Sequence, residues 1–239
     1  MNVAIDIGNT RVKMAIFKND NIEKLFIGDF ETILNSLKKT SFSSGIISNV
    51  ANEDYTKELL SFSSKLFIIS QNLKLPISIK YESLPTLGLD RIANVMGAYF
   101  LYPNKDNLII DVGTCITYDF LNNKNEYLGG SISPGFQLRS KALSNYTENL
   151  PEQDIQLKKQ PLIGVNTKSS IESGIINGVL AEIKQKIEDY KQFYQETNVI
   201  LTGGDTGFIK SMVSIKKNSI FALENLTLIG LNEIRKYNV

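Results

Sequence analysis

Large apolar residues alternate with smaller or polar residues, with a period of two, in two neighbouring runs near the start of the chain. The apolar positions of these runs are Val3, Ile5, Ile7, Val12, Met14 and Ile16. Alternation of this kind is typical of β-strands with one buried face. A Gly-Asn-Thr segment separates the two runs and favours a tight turn. The pattern therefore predicts a β-hairpin over Val3 to Phe17.

Strand and helix patterns alternate through the rest of the first half. The predicted elements are a strand from Ile22 to Phe30, a helix from Glu31 to Lys38, a strand from Gly45 to Val50, a helix from Glu53 to Phe62 and a strand from Leu66 to Ser70. Apolar residues three and four positions apart indicate the helices, and short apolar runs indicate the strands. This order predicts an α/β fold with a mixed sheet.

A proline-marked, extended stretch from Leu73 to Pro85 leads into the sequence Gly-Leu-Asp-Arg and a predicted helix from Arg91 to Tyr102. Asp90 stands where an N-cap residue belongs. Proline and asparagine at 103 and 104 end the helix, which predicts a boundary between two halves, residues 1–104 and 105–239.

The opening pattern returns in the second half. Leu108 to Leu121 again has a strand, an Asp-x-Gly-Thr turn and a second strand, and Asp111 lies 105 residues after Asp6. The neighbours correspond as well, since Ile-Asp-Ile-Gly in the first copy matches Ile-Asp-Val-Gly in the second. A recurrence at a fixed offset, at the start of each half, predicts two copies of one structural unit.

Strands and helices continue to alternate to the end of the chain. The predicted elements are a strand from Glu126 to Ile132, a helix opened by Ser133-Pro134-Gly135 and running to about Leu143, a surface loop from Asn149 to Pro161, a long helix from about Ser169 to Tyr194, a strand from Val199 to Thr202, and helices around Thr206 to Ser214 and around Glu224 to Tyr237. The long helix carries one apolar stripe, which fits either a core or a subunit interface. Its Gly174 and Gly178 either admit another backbone or relax the packing.

Composition narrows the class of protein. Of the 239 residues, 42% are hydrophobic and 21% are charged, which is ordinary for a chain that buries a core. The net charge of +1 gives no broad electrostatic case for nucleic acid. No apolar run approaches the roughly 20 residues that span a bilayer, so we expect no membrane association. No leader pattern is visible, and Cys115 alone cannot form an internal disulfide, which together favour the cytoplasm.

The absence of histidine removes several mechanisms. Without an imidazole there can be no Ser-His-Asp or Cys-His catalysis, so acid–base chemistry falls to Asp, Glu, Lys or Tyr. A bound metal should be a hard cation that prefers oxygen ligands. The first turn, with Asp6, Thr10 and Lys13 around backbone N–H groups, suits a phosphate chain that carries a divalent ion. An Asp-x-Gly turn with a purely structural role is the alternative.

The motifs DIGNT with Lys13, DVGT and LTGGD resemble the two phosphate loops and the adenosine loop of the actin, sugar-kinase and acetate-kinase superfamily. Within it the chain is most similar to the type III pantothenate kinase family. DIGNT-x-x-K, G-x-D-R, DVGT, GGSISPG and NT-x-x-S-x-x-SG (Asn166 to Gly174) occur in that family's order over essentially the whole chain. Each motif is weak alone, but five in order are specific. Non-kinase members of the Bvg accessory factor type look similar overall, so the catalytic residues need individual inspection.

The resemblance implies a fold of two similar ribonuclease H-like (actin-like ATPase) domains with mixed five-stranded sheets and a nucleotide cleft between them. Residues 1–104 would hold phosphate loop 1 and the acceptor site, and residues 105–239 would hold phosphate loop 2 and the adenosine loop. The resemblance also implies a homodimer.

The resemblance assigns a role to individual residues. It implies that ATP is bound by Asp6, Ile7, Gly8, Asn9, Thr10, Arg11, Val12, Lys13 and Thr114. It implies that pantothenate is bound by Tyr81, Gly88, Leu89, Asp90, Arg91 and Thr167. Asp90 would be the general base, and Arg91 could pair with the carboxylate of the substrate. Asp111 would hold K⁺ or NH₄⁺, and Asp6 would hold Mg²⁺ or another divalent cation, directly or through water. Gly203 and Gly204 would pass close to the adenosine.

The function implied is ATP-dependent phosphorylation of pantothenate to 4′-phosphopantothenate, the first step of coenzyme A biosynthesis. Two alternatives remain open at this stage. One is a kinase for another small acceptor, and the other is a nucleotide-binding regulatory protein whose cleft acts as a conformational switch. The presence of Asp90, Arg91 and Asp111 speaks against the regulatory protein, because a switch needs no acceptor base.

Overall fold

The computed structural model describes residues 1–70, 72–213 and 220–239, which form two compact units. The first unit consists of Met1–Asn104, Lys124–Leu128 and Asn225–Val239. The second unit consists of Lys105–Asn123 and Gly129–Glu224. The longest segment of the first unit ends at Asn104, the last residue of the predicted first half. The segments 124–128 and 225–239 differ, because they pack in the first unit although they follow the second loop in sequence.

The first unit is built on a five-stranded sheet in the order β3-β2-β1-β4-β5. Its strands are β1 (Asn2–Ile7), β2 (Val12–Lys18), β3 (Asn21–Gly28), β4 (Ser44–Asn49) and β5 (Leu66–Ile68). β1, β2 and β3 are antiparallel, whereas β4 and β5 run parallel to β1. The predicted hairpin and mixed sheet are therefore confirmed. The alternation has the expected cause, since Val3, Ile5 and Ile7 are all completely buried.

The first two helices, α1 (Phe30–Lys38) and α2 (Glu53–Phe62), lie where the periodicity predicts them. The assignment of Phe30 to the preceding strand is wrong. Asp29 caps α1, because its side chain accepts a hydrogen bond from the Thr32 N–H at 2.8 Å, and Phe30 is then the first helical residue. Phe30 is buried with the apolar face of the helix.

Helices α3 (Leu89–Leu101) and α7 (Leu226–Lys236) pack against each other at very short range in the first unit. A Cβ atom at Gly97 would lie 2.7 Å from the Leu226 carbonyl oxygen, and one at Gly230 would collide with the Ala93 carbonyl. Both glycines are therefore needed for the helices to meet backbone to backbone. All residues of α3 from Arg91 to Ala98 are buried.

The second unit repeats this strand arrangement. Its strands are β7 (Asn107–Val112), β8 (Cys115–Leu121), β9 (Glu126–Pro134), β10 (Asn198–Thr202) and β11 (Ile220–Ala222), and only the part of β9 from Gly129 onward belongs to this unit. Their order is β11-β10-β7-β8-β9, which corresponds to β5-β4-β1-β2-β3 in the first unit. A sixth strand follows β9 in this sheet, so the expectation of five strands is wrong here. In both units an antiparallel hairpin is flanked by parallel strands. The predicted duplication is confirmed, whereas the short β11 is not predicted by the sequence pattern.

A two-residue strand, β6 (Ser78–Ile79), pairs in parallel with the first residues of β9. Ser78 lies opposite Glu126, and Ile79 lies opposite Tyr127. All four residues belong to the first unit. The stretch predicted as merely extended thus contains a short strand, followed by a 3₁₀ turn at Leu84–Thr86.

The helices of the second unit are α4 (Phe136–Asn145), α5 (Thr167–Phe193) and α6 (Thr206–Met212). The predicted helix from Thr206 extended to Ser214, which lies outside the described residues. The apolar stripe of α5, from Ile171 to Ile187, belongs to the buried core of this unit, which decides between the two interpretations of the stripe. A Cβ atom at Gly174 or Gly178 would meet nothing within 4 Å among the described residues.

Among the helices in the described part of the chain, none is both long enough and apolar enough to cross a membrane.

Candidate active site

The first loop sits at the end of the β1–β2 hairpin. Asp6 and Lys13 are directly opposite each other in the antiparallel register, so their side chains lie on the same face of the sheet. The Gly8 N–H donates to the Arg11 carbonyl at 3.1 Å and closes the turn, which leaves Asn9 and Thr10 exposed. An acid, a base and an exposed hydroxyl therefore surround one tight turn, as a site for phosphate requires.

Not every residue of the first loop can use its side chain on a ligand. Ile7 and Val12 are 0% and 4% exposed and pack in the core, so only their backbone groups are available to a nucleotide. Arg11 is exposed, and Lys13 and Asp6 are half-buried. The sequence alone does not separate the backbone contacts from the side-chain contacts.

The donor set around Asp6 fits Mg²⁺ that arrives with its phosphates. Within residues 1–70, 72–213 and 220–239, no three His, Cys, Asp or Glu side chains are grouped so that they could hold a metal ion. Mg²⁺ commonly binds through one or two carboxylates together with water and substrate phosphates, rather than in an all-protein cage. One half-buried carboxylate beside a phosphate-type turn matches that pattern.

The second loop is formed by the β7–β8 hairpin. Asp111 lies opposite Thr117 in β8 and opposite Thr202 in β10. The Gly113 N–H donates to the Cys115 carbonyl at 3.0 Å, which closes the turn and leaves Thr114 exposed. This turn repeats the first one, with a carboxylate at the strand end and a hydroxyl at the tip.

The Gly-Gly-Asp segment after β10 touches the second loop directly. Gly203 has a φ of +95°, and a Cβ atom there would collide with the Asp111 carboxylate and with the Val112 carbonyl. The Asp205 N–H donates to the same Val112 carbonyl at 3.1 Å. Burial raises the pKa of Asp205. The motifs DVGT and GGD therefore form one continuous polar site within the second unit.

The GGSISPG segment contacts the second loop through its backbone. The Gly135 N–H donates to the Thr114 carbonyl at 3.0 Å, and a Cβ atom at Gly135 would lie 2.7 Å from that same oxygen. A Cβ atom at Gly130 would collide with the Tyr118 carbonyl. Both positions require glycine, because at each one a neighbouring backbone lies too close to leave room for a side chain.

Asp90 lies in the first turn of α3, but it is not the N-cap residue. The helix begins at Leu89 and its N-cap is Gly88, so the predicted capping role of Asp90 is wrong. Asp90 Oδ1 instead accepts the Arg91 N–H at 2.8 Å. Its Oδ2 makes no hydrogen bond to any residue in the described ranges. One oxygen that fixes the carboxylate and a second that has no hydrogen-bond donor among the described residues suit a general base.

Tyr81 and Arg91 are brought together beside Asp90. The Arg91 guanidinium carbon is 5.7 Å from the centre of the Tyr81 ring, which is within cation–π distance. Arg91 is only 5% exposed, and Leu89 and Gly88 are half-buried. The residues predicted to bind the acceptor within the first unit thus form one cluster.

Thr167 belongs to the second unit, where it is the first residue of α5. Asn166 caps this helix and forms a reciprocal capping box with Ser169. Thr167 lines a largely apolar cavity of about 930 Å³. The cavity is bounded by Pro134, Arg139, Ala142, Leu143, Tyr146, Thr147, Leu150, Thr167, Ser170, Ile171, Gly174 and Ile175.

A polar network that sequence reasoning missed borders this cavity. Glu182 on α5 accepts hydrogen bonds from Ser133 Oγ at 2.6 Å and from Tyr118 Oη at 2.8 Å, and it pairs with Arg139. Burial alone would raise the pKa of Glu182, but the three donors outweigh burial and hold that pKa below its ordinary value. Burial and the bond to Glu182 raise the pKa of Tyr118. Glu182 lies 43 to 64 residues after its three partners in sequence, and Ser133 is the only one of the four residues in a recognised motif, so the sequence does not signal the network.

Comparison with known proteins adds family information to this geometry. Residues 2–189 match the family model described as type III pantothenate kinase. A type III pantothenate kinase from Cytophaga hutchinsonii is 39% identical, with the whole of both chains covered. One from Christiangramia forsetii is 42% identical and covers 100% of this chain and 99% of its own.

Solved structures are similar to the chain at lower identity. A Campylobacter jejuni protein named for the Baf family of transcriptional activators has a TM-score of 0.62 at 23% identity, covering 99% of this chain and 98% of its own. A ROK family glucokinase from Streptomyces griseus has a TM-score of 0.52 at 12% identity, covering 98% and 99%. These likenesses concern the fold alone, and they confirm the predicted actin-like class.

Proposed function

The chain belongs to the type III pantothenate kinase family, and we propose that it transfers the γ-phosphoryl group of ATP to the hydroxyl of pantothenate. The products are ADP and 4′-phosphopantothenate, which makes this the first step of coenzyme A biosynthesis. The observation that carries the proposal is the Asp90 carboxylate, which is fixed through Oδ1 beside Arg91 and Tyr81 in the unit that also holds the Asp6–Lys13 pair. Phosphoryl transfer mainly requires positioned charges of this kind.

The two loops supply the contacts to the phosphates. Lys13 provides a point charge, and the backbone N–H groups and the Thr10 hydroxyl of the first turn provide hydrogen-bond donors. Thr114 provides a hydroxyl from the second turn. The opposed register of Asp6 and Lys13 supports this assignment, because it places both charges on the same face at the turn.

Asp90 performs the proton chemistry. It accepts the proton of the pantothenate hydroxyl while that oxygen attacks the γ-phosphorus, and the bond from phosphorus to the oxygen that bridges to the β-phosphate breaks. Arg91 pairs with the carboxylate of pantothenate, and Tyr81 and Thr167 contact the rest of the molecule. Gly88 and Leu89 form the start of α3, the helix that carries Asp90 and Arg91.

Two cations complete the proposal. Asp6 would hold Mg²⁺ or another divalent cation, directly or through water, and Asp111 would hold K⁺ or NH₄⁺. When bound, these ions neutralise phosphate charge. The position of Asp111 against Gly203 supports the second assignment, because it keeps the carboxylate at the loop that carries Thr114.

We also propose that the enzyme is a homodimer in the cytoplasm. Leu162, Ile163 and Val165 are 83%, 77% and 88% exposed, and Ser173 Oγ holds their segment by donating to the Pro161 carbonyl at 2.7 Å. Large apolar side chains that are held outward in this way support contact with a second copy. The single cysteine and the use of ATP support the cytoplasm.

A coupled assay of ADP release tests the function. Purified protein is mixed with ATP, Mg²⁺ and K⁺, with and without pantothenate, and release is expected only with pantothenate. Release with a different small alcohol instead would indicate another acceptor. Nucleotide binding without ADP release for any acceptor would indicate a regulatory protein and would contradict the proposed function.

A further inference from the structure

Tyr127 is a completely buried aromatic residue that lies outside every predicted site motif. It is the second residue of β9, and it belongs to the first unit although it follows the second loop in sequence. Its side chain is 0% exposed, so it cannot touch a ligand itself. Any effect of Tyr127 on the reaction must therefore pass through a neighbouring side chain.

The pairing of β6 with β9 places Tyr81 beside Tyr127. The Lys80 N–H donates to the Tyr127 carbonyl at 2.9 Å, and the Lys80 ammonium pairs with Glu126 at 3.5 Å. The ring centres of Tyr81 and Tyr127 are then 6.3 Å apart, and the ring planes are within 4° of parallel. Offset parallel rings at this separation attract each other.

Arg91 is the next member of the stack. Its guanidinium carbon is 5.7 Å from the centre of the Tyr81 ring, on a side chain that is 5% exposed. Its backbone N–H donates to Asp90 Oδ1. A continuous series of contacts therefore leads from the buried Tyr127 through Tyr81 and Arg91 to the proposed base.

We propose that Tyr127 is a positioning residue of the acceptor site. Its rigid ring fixes the plane of the half-buried Tyr81, and Tyr81 in turn orients the Arg91 guanidinium toward the acceptor carboxylate. The inference rests on the proposed function, because it takes Tyr81 and Arg91 as acceptor contacts. The first phosphate loop lies on the β1–β2 hairpin, outside this stack, so Tyr127 governs acceptor binding and leaves ATP binding unchanged.

Steady-state kinetics of Tyr127→Leu tests the inference. We expect the KM for pantothenate to rise about three- to tenfold, the equivalent of one lost aromatic pair and a loosened cation–π contact. The KM for ATP should stay within about twofold of the wild-type value. Tyr127→Phe keeps the ring and should retain the wild-type KM for pantothenate. If Tyr127→Leu does not fold, Tyr127→Met, which fills more of the volume of the ring, replaces it in the same comparison.

A double-mutant cycle separates positioning from a general structural role. In a Tyr81→Leu background, Tyr127→Leu should change the KM for pantothenate less than about twofold, because the path is already interrupted at Tyr81. Additive losses, or an equal rise in the KM for ATP, would overturn the inference.

A spectroscopic measurement tests the same inference without using activity. The ¹⁵N–¹H resonance of Arg91 Nε, assigned through Arg91→Lys, senses the ring of Tyr81. It should shift in Tyr127→Leu and stay in place in Tyr127→Phe, and an unmoved resonance in Tyr127→Leu would refute the positioning role. If the resonance behaves in this way in the two variants but the wild-type protein has no pantothenate-dependent activity, only the proposed function is refuted.

Discussion

Replacing Gly203 by alanine perturbs the second loop at its most crowded point. Gly203 has a φ of +95°, in the region that residues with a Cβ atom rarely adopt. The added Cβ atom would collide with the Asp111 carboxylate and would lie 2.7 Å from the Val112 carbonyl carbon. Because one of these neighbours is backbone, rotation of a side chain cannot relieve the overlap.

The expected cost has two parts. The left-handed conformation costs an alanine about 1–2 kcal/mol. Overpacking of a well-packed site costs about 1–3 kcal/mol more. We therefore expect Gly203→Ala to lower the free energy of unfolding by roughly 2–5 kcal/mol. For a loss of about 3 kcal/mol the Tm should fall by roughly 6–12 °C in a protein of this size.

Gly203→Ala should also change activity, because the added Cβ atom would displace the Asp111 carboxylate. If Asp111 holds K⁺, its displacement should raise the K⁺ concentration for half-maximal activity by about tenfold, which corresponds to about 1.4 kcal/mol of lost binding. Thermal unfolding without ligand gives the first quantity, and a K⁺ titration of the ADP-release assay gives the second.

Gly204→Ala is the matched control, since a Cβ atom at Gly204 would meet nothing within 4 Å among the described residues and its φ is not positive. We expect its unfolding free energy to stay within about 0.5 kcal/mol of the wild-type value. Equal stability of the two variants would refute the steric reasoning. A destabilised Gly203→Ala with an unchanged K⁺ response would count against the cation role of Asp111.

The remaining predictions concern three other side chains. Asp90→Asn should lower kcat by about 10²- to 10⁴-fold with little change in the KM for ATP, and undiminished turnover would remove Asp90 as the base. Lys13→Ala should lower kcat/KM for ATP by about 10²-fold, whereas an unaltered value would show that Lys13 is merely solvated. Urea denaturation of Glu182→Gln should show that the free energy of unfolding is lower by about 2–3 kcal/mol. The control is Asp54→Asn, in the exposed pair with Lys57, which should lower it by less than about 0.5 kcal/mol. Because the pKa of Glu182 is depressed, its contribution is present above the ordinary glutamate pKa of 4.5 and is lost as the pH falls through the folded-state pKa. The difference between wild type and Glu182→Gln should therefore shrink on acidification, and a constant difference would contradict this assignment.

The strand arrangement could be predicted from the sequence because hydrophobic period and turn residues agree with each other. The hairpin at Asp6 and its repeat at Asp111 both have two apolar strands around an Asp-x-Gly turn, and both hairpins are found in the structure. The end of β3 was predicted wrongly, because Asp29 caps α1 and Phe30 is therefore the first residue of that helix.

Tertiary contacts account for the larger differences. The C-terminal helix α7 packs on α3 because Gly97 and Gly230 permit close contact, and nothing local in residues 225–239 reveals that partner. The pairing of β6 with β9, which sets Tyr81 beside Tyr127, likewise joins segments about 50 residues apart. Within the candidate site, the family motifs predicted the charged residues, but only the structure separates Ile7 and Val12, which are buried, from Thr10, which is exposed.

Transfer of a labelled γ-phosphoryl group tests the proposed phosphorylation of pantothenate directly. ATP carrying ³²P in the γ-phosphoryl group is incubated with the enzyme, Mg²⁺, K⁺ and pantothenate, and the products are separated and counted. We expect labelled 4′-phosphopantothenate to form in a one-to-one ratio with ADP, and we expect Asp90→Asn to suppress both products. ADP release that leaves pantothenate unlabelled would contradict the proposed phosphoryl transfer.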